Sequence, residues 1–425
     1  MSNPAPQGAL VLGGAHGSLE IARSLGRRGI PVWLVTSDNP LATLSRYVQR
    51  HFVWDGPGRD DAVAYLADLA ARHRLHGWVL FAGGDAEVQL VAQNHEALSA
   101  LFVLTTPAWD IVRWTLDKRA MNARADALGL AQPLSCYPHS RDELAEIGLR
   151  YPVVIKPTAY EGRNAFVMAK AWRADDLAAL TARYDKAEAL AGPDRIMVQE
   201  LIPGDGRSQF SYAAVWQRGA PVAALVARRR RQYPVDFGFT STYVETVAVQ
   251  EVEDAACRFL ASLDYNGLVE IEFKHDARDS TYKILDVNTR SWTWIALGAA
   301  AGIDFAAIQW QVACGERVAP AAPRQGAAWR YLSRDLVAVA QEMLFGALSV
   351  ADAARSLRPS AASAVFAWDD PVPAVLDLPV VAARIVKRRL ARAGVGPAAV
   401  PLPHTFTSSV APSKSPARTA PASPQ

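Results

Sequence analysis

Short apolar runs alternate with longer amphipathic stretches over about the first hundred residues. Apolar residues 9–13 and 31–36 flank a stretch of helical periodicity at about 19–29, which predicts a β-α-β unit. The alternation continues with predicted helices at 60–74 and 86–101 and predicted strands at 77–82 and 102–105. Such alternation is typical of a parallel sheet with helices on both faces. We therefore expect a small doubly wound domain up to about residue 114.

The turn GGAHGS joins the first predicted strand to its helix. Its glycines do not follow the G-x-G-x-x-G spacing, so a dinucleotide fingerprint is not indicated. His16 and Ser18 could contact an anion at the helix N-terminus, but a tight turn with Ser18 as N-cap explains the same residues. Asp85 follows the strand at 77–82, at the edge where open α/β sheets bind ligands.

Two stretches of strictly alternating character, VEIEFK and YKILDVN, are separated by the turn formers HDARDS. Because successive side chains of a strand point to opposite faces, Glu270 and Glu272 share one face, and so do Asp286 and Asn288. If the strands pair, four oxygen-bearing side chains gather on one face. Like charges opposite each other are destabilising unless a cation lies between them, and Mg²⁺ prefers such oxygens. A solvent-facing hairpin with acidic residues is the alternative interpretation.

The pattern E-F-K-x-D…D-V-N-x-R in these strands resembles the metal-binding end of the ATP-grasp superfamily, whose usual form is a Glu followed on the next strand by E-x-N-x-R. The resemblance implies that Glu272, Asp286 and Asn288 bind Mg²⁺ (or Mn²⁺) and that Arg290 contacts phosphate. Asp286 stands where the family more often has Glu, so this ligand has a shorter reach.

Three upstream segments extend the resemblance to the nucleotide site. They are D-K-x₃-N…L-G-L-x-x-P from residue 117, the strand YPVVIKP, and the strand RIMVQE with its continuation LIPGDG. A lysine at the end of an apolar strand is costly to bury unless it meets an anion, which suits a phosphate contact. In the family these segments hold the phosphates, the adenine edge and the ribose. The nucleotide contacts implied for this chain are Lys118, Lys156, Gln199, Glu200, Ile202 and Asp205.

Four consecutive arginines, residues 228–231, continue an apolar strand. A run of arginines is most often a solvated cluster or one that faces nucleic acid. In extended geometry Arg228 and Arg230 share one face, and Arg229 and Arg231 share the other. The stretch with the following Y-P resembles a segment of ATP-grasp carboxylate–amine ligases, including D-aspartate-ligase-like proteins, that lies near the phosphate and the acid. The resemblance implies a catalytic role for Arg230 or Arg231, together with Arg290.

The resemblance covers about residues 8–318 and implies a mixed α/β and α+β architecture. A Rossmann-like pre-ATP-grasp domain (1–114) precedes a two-lobed ATP-grasp module (115–318, with lobes of about 115–192 and 193–318). A helical C-terminal extension (319–394) ends in a basic amphipathic helix, which is solvated or touches an anionic membrane surface. Residues 395–425 are rich in Pro, Ser, Ala and Thr, so we expect a disordered tail.

Composition narrows the choice of partners and compartment. With 45 basic and 42 acidic residues among 425, the net charge is only +3, which argues against a dedicated nucleic-acid binder. The cysteines, Cys136, Cys257 and Cys314, are isolated in sequence and fit a reducing cytoplasm rather than a disulfide framework. The N-terminus lacks the basic region of a signal peptide, and no apolar run reaches membrane-spanning length.

Taken with the resemblance, these features imply an ATP-dependent carboxylate–amine ligase. Its substrates would be a carboxylic acid and an amine, both resembling amino acids, joined through an acyl phosphate with release of ADP and phosphate. Such chemistry needs no protein nucleophile, and the sequence offers no credible Ser–His–Asp or Cys–His set. Two alternatives remain: a nicotinamide-dependent oxidoreductase that uses the N-terminal sheet, and a non-catalytic ATP-binding protein. The sequence names neither the acid nor the amine, and it is compatible with a homo-oligomer.

Overall fold

The structure is a computed structural model of the 425-residue chain. It describes residues 6–37, 39–159, 164–169, 171–234, 240–357 and 360–392. Residues Met1–Val381 form one compact unit, and Ala382–Gln425 form a second, of which residues 382–392 are described and helical. Among the described residues, no helix combines the length and apolar character needed to cross a membrane.

The N-terminal part is a parallel sheet with the strand order β3-β2-β1-β4-β5. Its elements are β1 (Ala9–Leu12), α1 (His16–Arg27), β2 (Val32–Thr36), β3 (Val48–Val53), α2 (Ala62–His73), β4 (Val79–Ala82), α3 (Asp85–Gln93), α4 (His95–Ser99) and β5 (Val103–Leu104). All residues of the central strands β1 and β4 are buried because helices cover both faces of the sheet. The predicted doubly wound architecture is confirmed.

The next segment forms a four-stranded antiparallel sheet with the order β6-β9-β7-β8. Its elements are α5 (Trp109–Leu116), α6 (Lys118–Ala127), β6 (Ser135–Cys136), β7 (Val153–Pro157), α7 (Ala165–Ala169), β8 (Trp172–Ala174), α8 (Leu177–Ala191) and β9 (Ile196–Glu200). Asp117 caps α6 by accepting hydrogen bonds from the backbone N–H groups of Arg119 and Ala120, which fixes where that helix begins.

A seven-stranded sheet follows, in the order β14-β13-β10-β11-β12-β15-β16. Its first part consists of β10 (Gln209–Gln217), β11 (Ala220–Tyr233), β12 (Thr240–Val247), α9 (Gln250–Ala261), β13 (Gly267–Asp276), β14 (Thr281–Asn288), α10 (Ala296–Ala300) and α11 (Phe305–Ala313). The apolar face of α9 packs under the hairpin β13–β14, where Phe259 joins a core with Ile271 and Phe273. Short 3₁₀ turns lie at Leu41–Leu44, Asp142–Ala145, Pro193–Arg195 and Gly206–Ser208.

The C-terminal extension adds helices, as predicted, and also completes the sheet. It contains β15 (Ala328–Arg330), α12 (Leu332–Leu344), α13 (Val350–Ser356), β16 (Ala362–Ser363) and α14 (Val372–Arg392). β15 pairs antiparallel to β12, and β16 pairs parallel to β15. A buried ion pair with 2.9 Å between Arg23 Nε and Asp370 Oδ2 ties the extension to the N-terminal domain. The extension is therefore packed against the rest of the unit rather than separate from it.

Candidate active site

The two strands of the acidic hairpin, β13 and β14, pair antiparallel, with a register shift between Glu272 and Phe273. Glu270 lies opposite Asn288, and Glu272 lies opposite Asp286. The Asn288 amide donates to Glu270 Oε2 over 3.2 Å and to Glu272 Oε1 over 3.5 Å, while Trp294 Nε1 donates to Glu270 Oε1 over 3.1 Å. Four oxygen-bearing side chains therefore share one face of β13 and β14.

A cavity of about 630 Å³ lies between the four-stranded and seven-stranded sheets. It is lined by residues of β7 and β9 on one side and of β10, β11, β13 and β14 on the other. Its lining includes Lys118, Lys156, Gln199, Glu200, Ile202, Asp205, Glu272 and Asp286, all of which the sequence predicts as site residues. Residues more than 150 positions apart in sequence thus meet in one cavity.

Two lysines reach the cavity from different segments of the chain. Lys118, at the start of α6, places Nζ 2.7 Å from Asp286 Oδ1, and Lys156, near the end of β7, donates to Gln199 Oε1 over 2.8 Å. Burial, with a further contribution from the charge of Lys118, lowers the pKa of Lys156 to about 8. An anion beside these ammonium groups would relieve both the burial cost and their mutual repulsion.

The segment predicted to hold the adenine and ribose forms the opposite wall. The Glu200 side chain is buried and paired with Arg278. It therefore lines the cavity without offering a free carboxylate to a ligand. Ile202 is buried and apolar. Asp205 is exposed and caps the turn after β9, since its Oδ1 accepts from the Arg207 backbone N–H over 2.8 Å. The turn explains Asp205 in structural terms, and its second carboxylate oxygen, Oδ2, lies 3.7 Å from Arg207 Nε.

Lys274 and Arg229 also line the cavity, although the sequence interpretation selected neither. Lys274 donates to the Gly204 backbone carbonyl over 2.8 Å, which holds the turn against β13. The sequence carried a signal for it, because Lys274 follows Glu270 and Glu272 at the two-residue spacing that defines their shared face. Apolar parts of the lining come from Pro133, Pro152, Val154, Ala169, Ala171, Leu201, Pro203 and Leu285.

The arginine run does not follow simple alternation, because the pairing of β11 with β12 is irregular around Arg230. Arg229 points to the cavity, with Nη2 3.6 Å from Glu272 Oε2. Arg230 pairs instead with Glu245 over 3.2 Å, and Arg231 makes a buried two-point pair with Asp335 at 2.8 and 2.9 Å. Arg229 lines the cavity, whereas neither Arg230 nor Arg231 does. The catalytic role implied for Arg230 or Arg231 stays a prediction that this placement does not support.

Arg290 lies beside the hairpin and connects it to the N-terminal domain. Its Nε donates to Asp85 Oδ1 over 2.6 Å, and its Nη2 donates to Asn288 Oδ1 over 3.1 Å. Asp85, at the start of α3, is the residue that the sequence placed at the ligand-binding edge of the first sheet. The hydrogen bonds orient the amide of Asn288 and the guanidinium of Arg290 together.

The donor set suits Mg²⁺ when phosphate oxygens complete the coordination. Among the residues that the structure describes, no three His, Cys, Asp or Glu side chains are arranged to hold a metal ion alone. Mg²⁺ is usually bound by one or two carboxylates together with substrate phosphates rather than by a cage of protein ligands. Burial and the negative charge of Glu272 raise the pKa of Glu270 to about 7. The assignment of Glu272, Asp286 and Asn288 as metal ligands stays a prediction.

Part of the loop expected to cover the phosphates, residues 160–163, lies outside the described residues. Asn164, which follows it, caps α7 by accepting from the backbone N–H groups of Phe166 and Val167.

The glycine turn of the first domain is filled by protein. A Cβ on Gly17 would lie 2.3 Å from Ser291 Oγ, and one on Gly14 would lie 2.0 Å from the Asn39 carbonyl oxygen. Gly17 therefore permits close packing against the chain segment that follows Arg290, and Gly14 permits close packing against the backbone of Asn39. The observation gives no support to a nicotinamide site at this turn.

Comparisons with known proteins agree with this architecture. Residues 226–320 match the family model of the carbamoyl-phosphate synthase L chain, ATP binding domain. The chain is 21% identical over 230 residues to D-aspartate ligase from Enterococcus faecium (strain Aus0004). The matched region covers 50% of this chain and 53% of that ligase. The chain thus matches about half the length of this curated relative.

Two solved structures have a similar fold at low sequence identity. L-amino acid ligase from Bacillus licheniformis superposes with a TM-score of 0.57 and 16% identity, over 73% of this chain and 75% of that chain. The second is the biotin carboxylase domain of 2-oxoglutarate carboxylase from Hydrogenobacter thermophilus, solved with MgADP, ADP and bicarbonate. It superposes with a TM-score of 0.61 and 14% sequence identity, over 77% of this chain and 74% of that chain. The resemblance to the ATP-grasp superfamily is confirmed, and the chain has the ATP-grasp fold.

Proposed function

We propose that this protein is an ATP-dependent ligase that joins a carboxylic acid to an amine. The observation that carries the proposal is the cavity between the two sheets, where Lys118 and Lys156 face Glu272 and Asp286. Cations on one side and metal-binding oxygens on the other are what a magnesium-bound polyphosphate requires. The match to an ATP-binding family model over residues 226–320 supports the same assignment.

The roles proposed for the residues follow their positions along the cavity. Ile202 and Leu285 bracket the adenine, with the backbone of Gln199 and Glu200 at its edge, and Asp205 is the candidate partner of the ribose. Lys118, Lys156 and Arg229 neutralise the phosphates, each as a fixed cation in a site with little water. ATP supplies an electrophilic γ-phosphorus. Glu272, Asp286 and Asn288 would hold Mg²⁺, which would neutralise part of the charge of the phosphates.

The reaction needs orientation rather than a side-chain nucleophile. A carboxylate oxygen of the acid bonds to the γ-phosphorus while the bond from that phosphorus to the β,γ-bridging oxygen breaks, so ADP leaves. The amine nitrogen then attacks the acyl carbon, inorganic phosphate departs, and the amine loses a proton. Arg290, which hydrogen-bonds to Asp85 and Asn288 beside the acidic face, is the candidate arginine for contact with the phosphate. Positioning of the reactants together with electrostatic stabilisation accounts for almost all of the catalysis in such phosphoryl transfers.

The substrates proposed are amino acids or close analogues. A D-aspartate ligase and an L-amino acid ligase are among the proteins that this chain resembles, and both names describe ligases of amino acids. We also propose a cytoplasmic enzyme, because Cys136, Cys257 and Cys314 are all free and partly buried.

A screen that reads phosphate release over pairs of amino acids tests the proposal. We expect release that requires ATP, Mg²⁺ and both members of one pair, with ADP as the nucleotide product. The matched control is Lys156→Met, which removes a cavity cation and should abolish release with the same pair. Reduction or oxidation of a nicotinamide cofactor, or ATP binding without turnover for any acid, would favour one of the two other functions considered above.

A further inference from the structure

The helix α12 carries its charges inward and its apolar side chains outward. Each of its six exposed residues is apolar: Leu332, Leu336, Val337, Ala340, Met343 and Leu344. Leu344 is 85% exposed, and Phe345, which follows directly, is 80% exposed. A surface helix of a monomeric protein normally shows the opposite arrangement, with its polar face toward water.

Ion pairs fix this orientation of α12. Asp335 is fully buried and accepts from both Arg231 and the Thr242 hydroxyl, the latter over 2.9 Å. Glu342 is also buried, with Oε2 3.8 Å from Arg207 Nη2. If α12 rotated to bury its exposed leucines, Asp335 and Glu342 would move away from Arg231 and Arg207. Those arginines would then lose their carboxylate partners, and no other acidic residue of α12 would replace them. The apolar face is therefore held outward by the fold.

Single exposed apolar residues are ordinary, but a continuous face of them is not. Residues 332, 336, 340 and 344 follow one another at four-residue spacing and form one stripe along α12. Together with Val337, Met343 and Phe345, which are also exposed, the stripe reaches roughly 600 Å², the upper end of what the largest apolar patch on a typical monomer shows.

We propose that this face of α12 pairs with the same face of a second copy of the chain. The stripe contains no charged residue, so two copies can bury it against each other without leaving an ion unpaired. An anionic lipid or a nucleic acid would call for lysines or arginines within the stripe, and it has none. Two faces of about 600 Å² bury about 1,200 Å² in total, which is the lower end for a stable, specific interface. A two-fold axis would bring identical residues together.

Sedimentation velocity of the full chain tests the pairing. The chain mass is 46.0 kDa, so we expect a species of twice that mass at micromolar concentration. Leu336→Glu and Leu344→Glu should each shift the protein to the monomer, because each would bury a carboxylate at the interface. Val53→Glu is the matched control, since Val53 is exposed on β3, outside this face. It should leave the dimer unchanged, and thermal melts should show all three variants folded.

The other outcomes each reject the pairing. A wild-type protein that stays at 46.0 kDa under these conditions overturns the proposal, and so does a dimer that persists in both glutamate variants. Binding of a wild-type monomer to phosphatidylcholine vesicles that Leu336→Glu abolishes would assign the face to lipid instead. None of these outcomes depends on the proposed ligase activity.

Discussion

Arg231 and Arg230 are adjacent in sequence, and we predict that their removal affects the protein in very different ways. Arg231 and Asp335 are 4% and 0% exposed, and two hydrogen bonds of 2.8 and 2.9 Å join them. Arg230 is 40% exposed and meets Glu245 through a single contact of 3.2 Å. Substitution of each arginine by methionine keeps most of the side-chain volume and removes the charge.

The expected cost for Arg231→Met follows from the carboxylate that it leaves behind. Removing one partner of a buried ion pair typically costs about 3–5 kcal/mol. Arg330 Nε, 3.2 Å from Asp335 Oδ2, and the Thr242 hydroxyl remain as partners, so we expect the lower end, about 3 kcal/mol. For Arg230→Met we expect about 0–1 kcal/mol, as for an exposed pair.

Thermal unfolding of the full chain provides the assay. At an unfolding entropy of roughly 2.1 cal/mol/K per residue, 3 kcal/mol lowers the melting temperature of a 381-residue unit by about 4 °C. Arg230→Met should shift it by no more than about 1 °C. An Arg231→Met protein that melts like the wild type but has lost turnover would refute the structural role and restore Arg231 as a candidate catalytic residue.

The metal and phosphate contacts give two further predictions. Glu272→Ala and Asn288→Ala should each lower turnover about a hundredfold while weakening ATP binding far less, because each variant removes an oxygen ligand of the metal. Glu245→Ala, which lies outside the cavity, is the control. A near-normal rate of either variant at low Mg²⁺ would reject the assignment of that residue. The pKa of Lys156 is lowered to about 8, so above that pH the free protein has lost this cation and ATP binding should take up close to one proton. Calorimetry at pH 9 in buffers of different ionisation enthalpy measures this proton uptake. Lys156→Arg should abolish the uptake, because an arginine stays charged at this pH. No uptake in the wild type would contradict the proposed contact of Lys156 with phosphate.

Local sequence pattern was sufficient for the acidic face of the hairpin. The alternation in VEIEFK and YKILDVN predicts that Glu270 and Glu272 share one face and that Asp286 and Asn288 share one face, and in β13 and β14 Glu270 lies opposite Asn288 and Glu272 opposite Asp286. The same rule failed at the arginine run. The irregular pairing near Arg230 depends on the next strand, β12, which the pattern of residues 240–247 did not reveal. One extra residue in a strand reverses the facing of those that follow.

Contacts between distant segments were beyond local pattern. Arg231 and Asp335 are separated by 104 positions, and Arg290 and Asp85 by 205. Asp85 could be placed at a ligand-binding edge from the position of its strand, but its partner could not. β15 and β16 are three and two residues long, too short for any periodicity to reveal. Their place in the sheet is set by the partner strand.

Transfer of oxygen-18 from the acid to phosphate tests the proposed ligase chemistry most directly. In the acyl-phosphate route one carboxylate oxygen becomes bonded to the γ-phosphorus and leaves with phosphate when the amine attacks. With the substrate pair from the screen and a labelled acid, mass analysis should therefore show one labelled oxygen in the phosphate and ADP as the nucleotide. Unlabelled phosphate, or AMP with pyrophosphate, would contradict the acyl-phosphate mechanism.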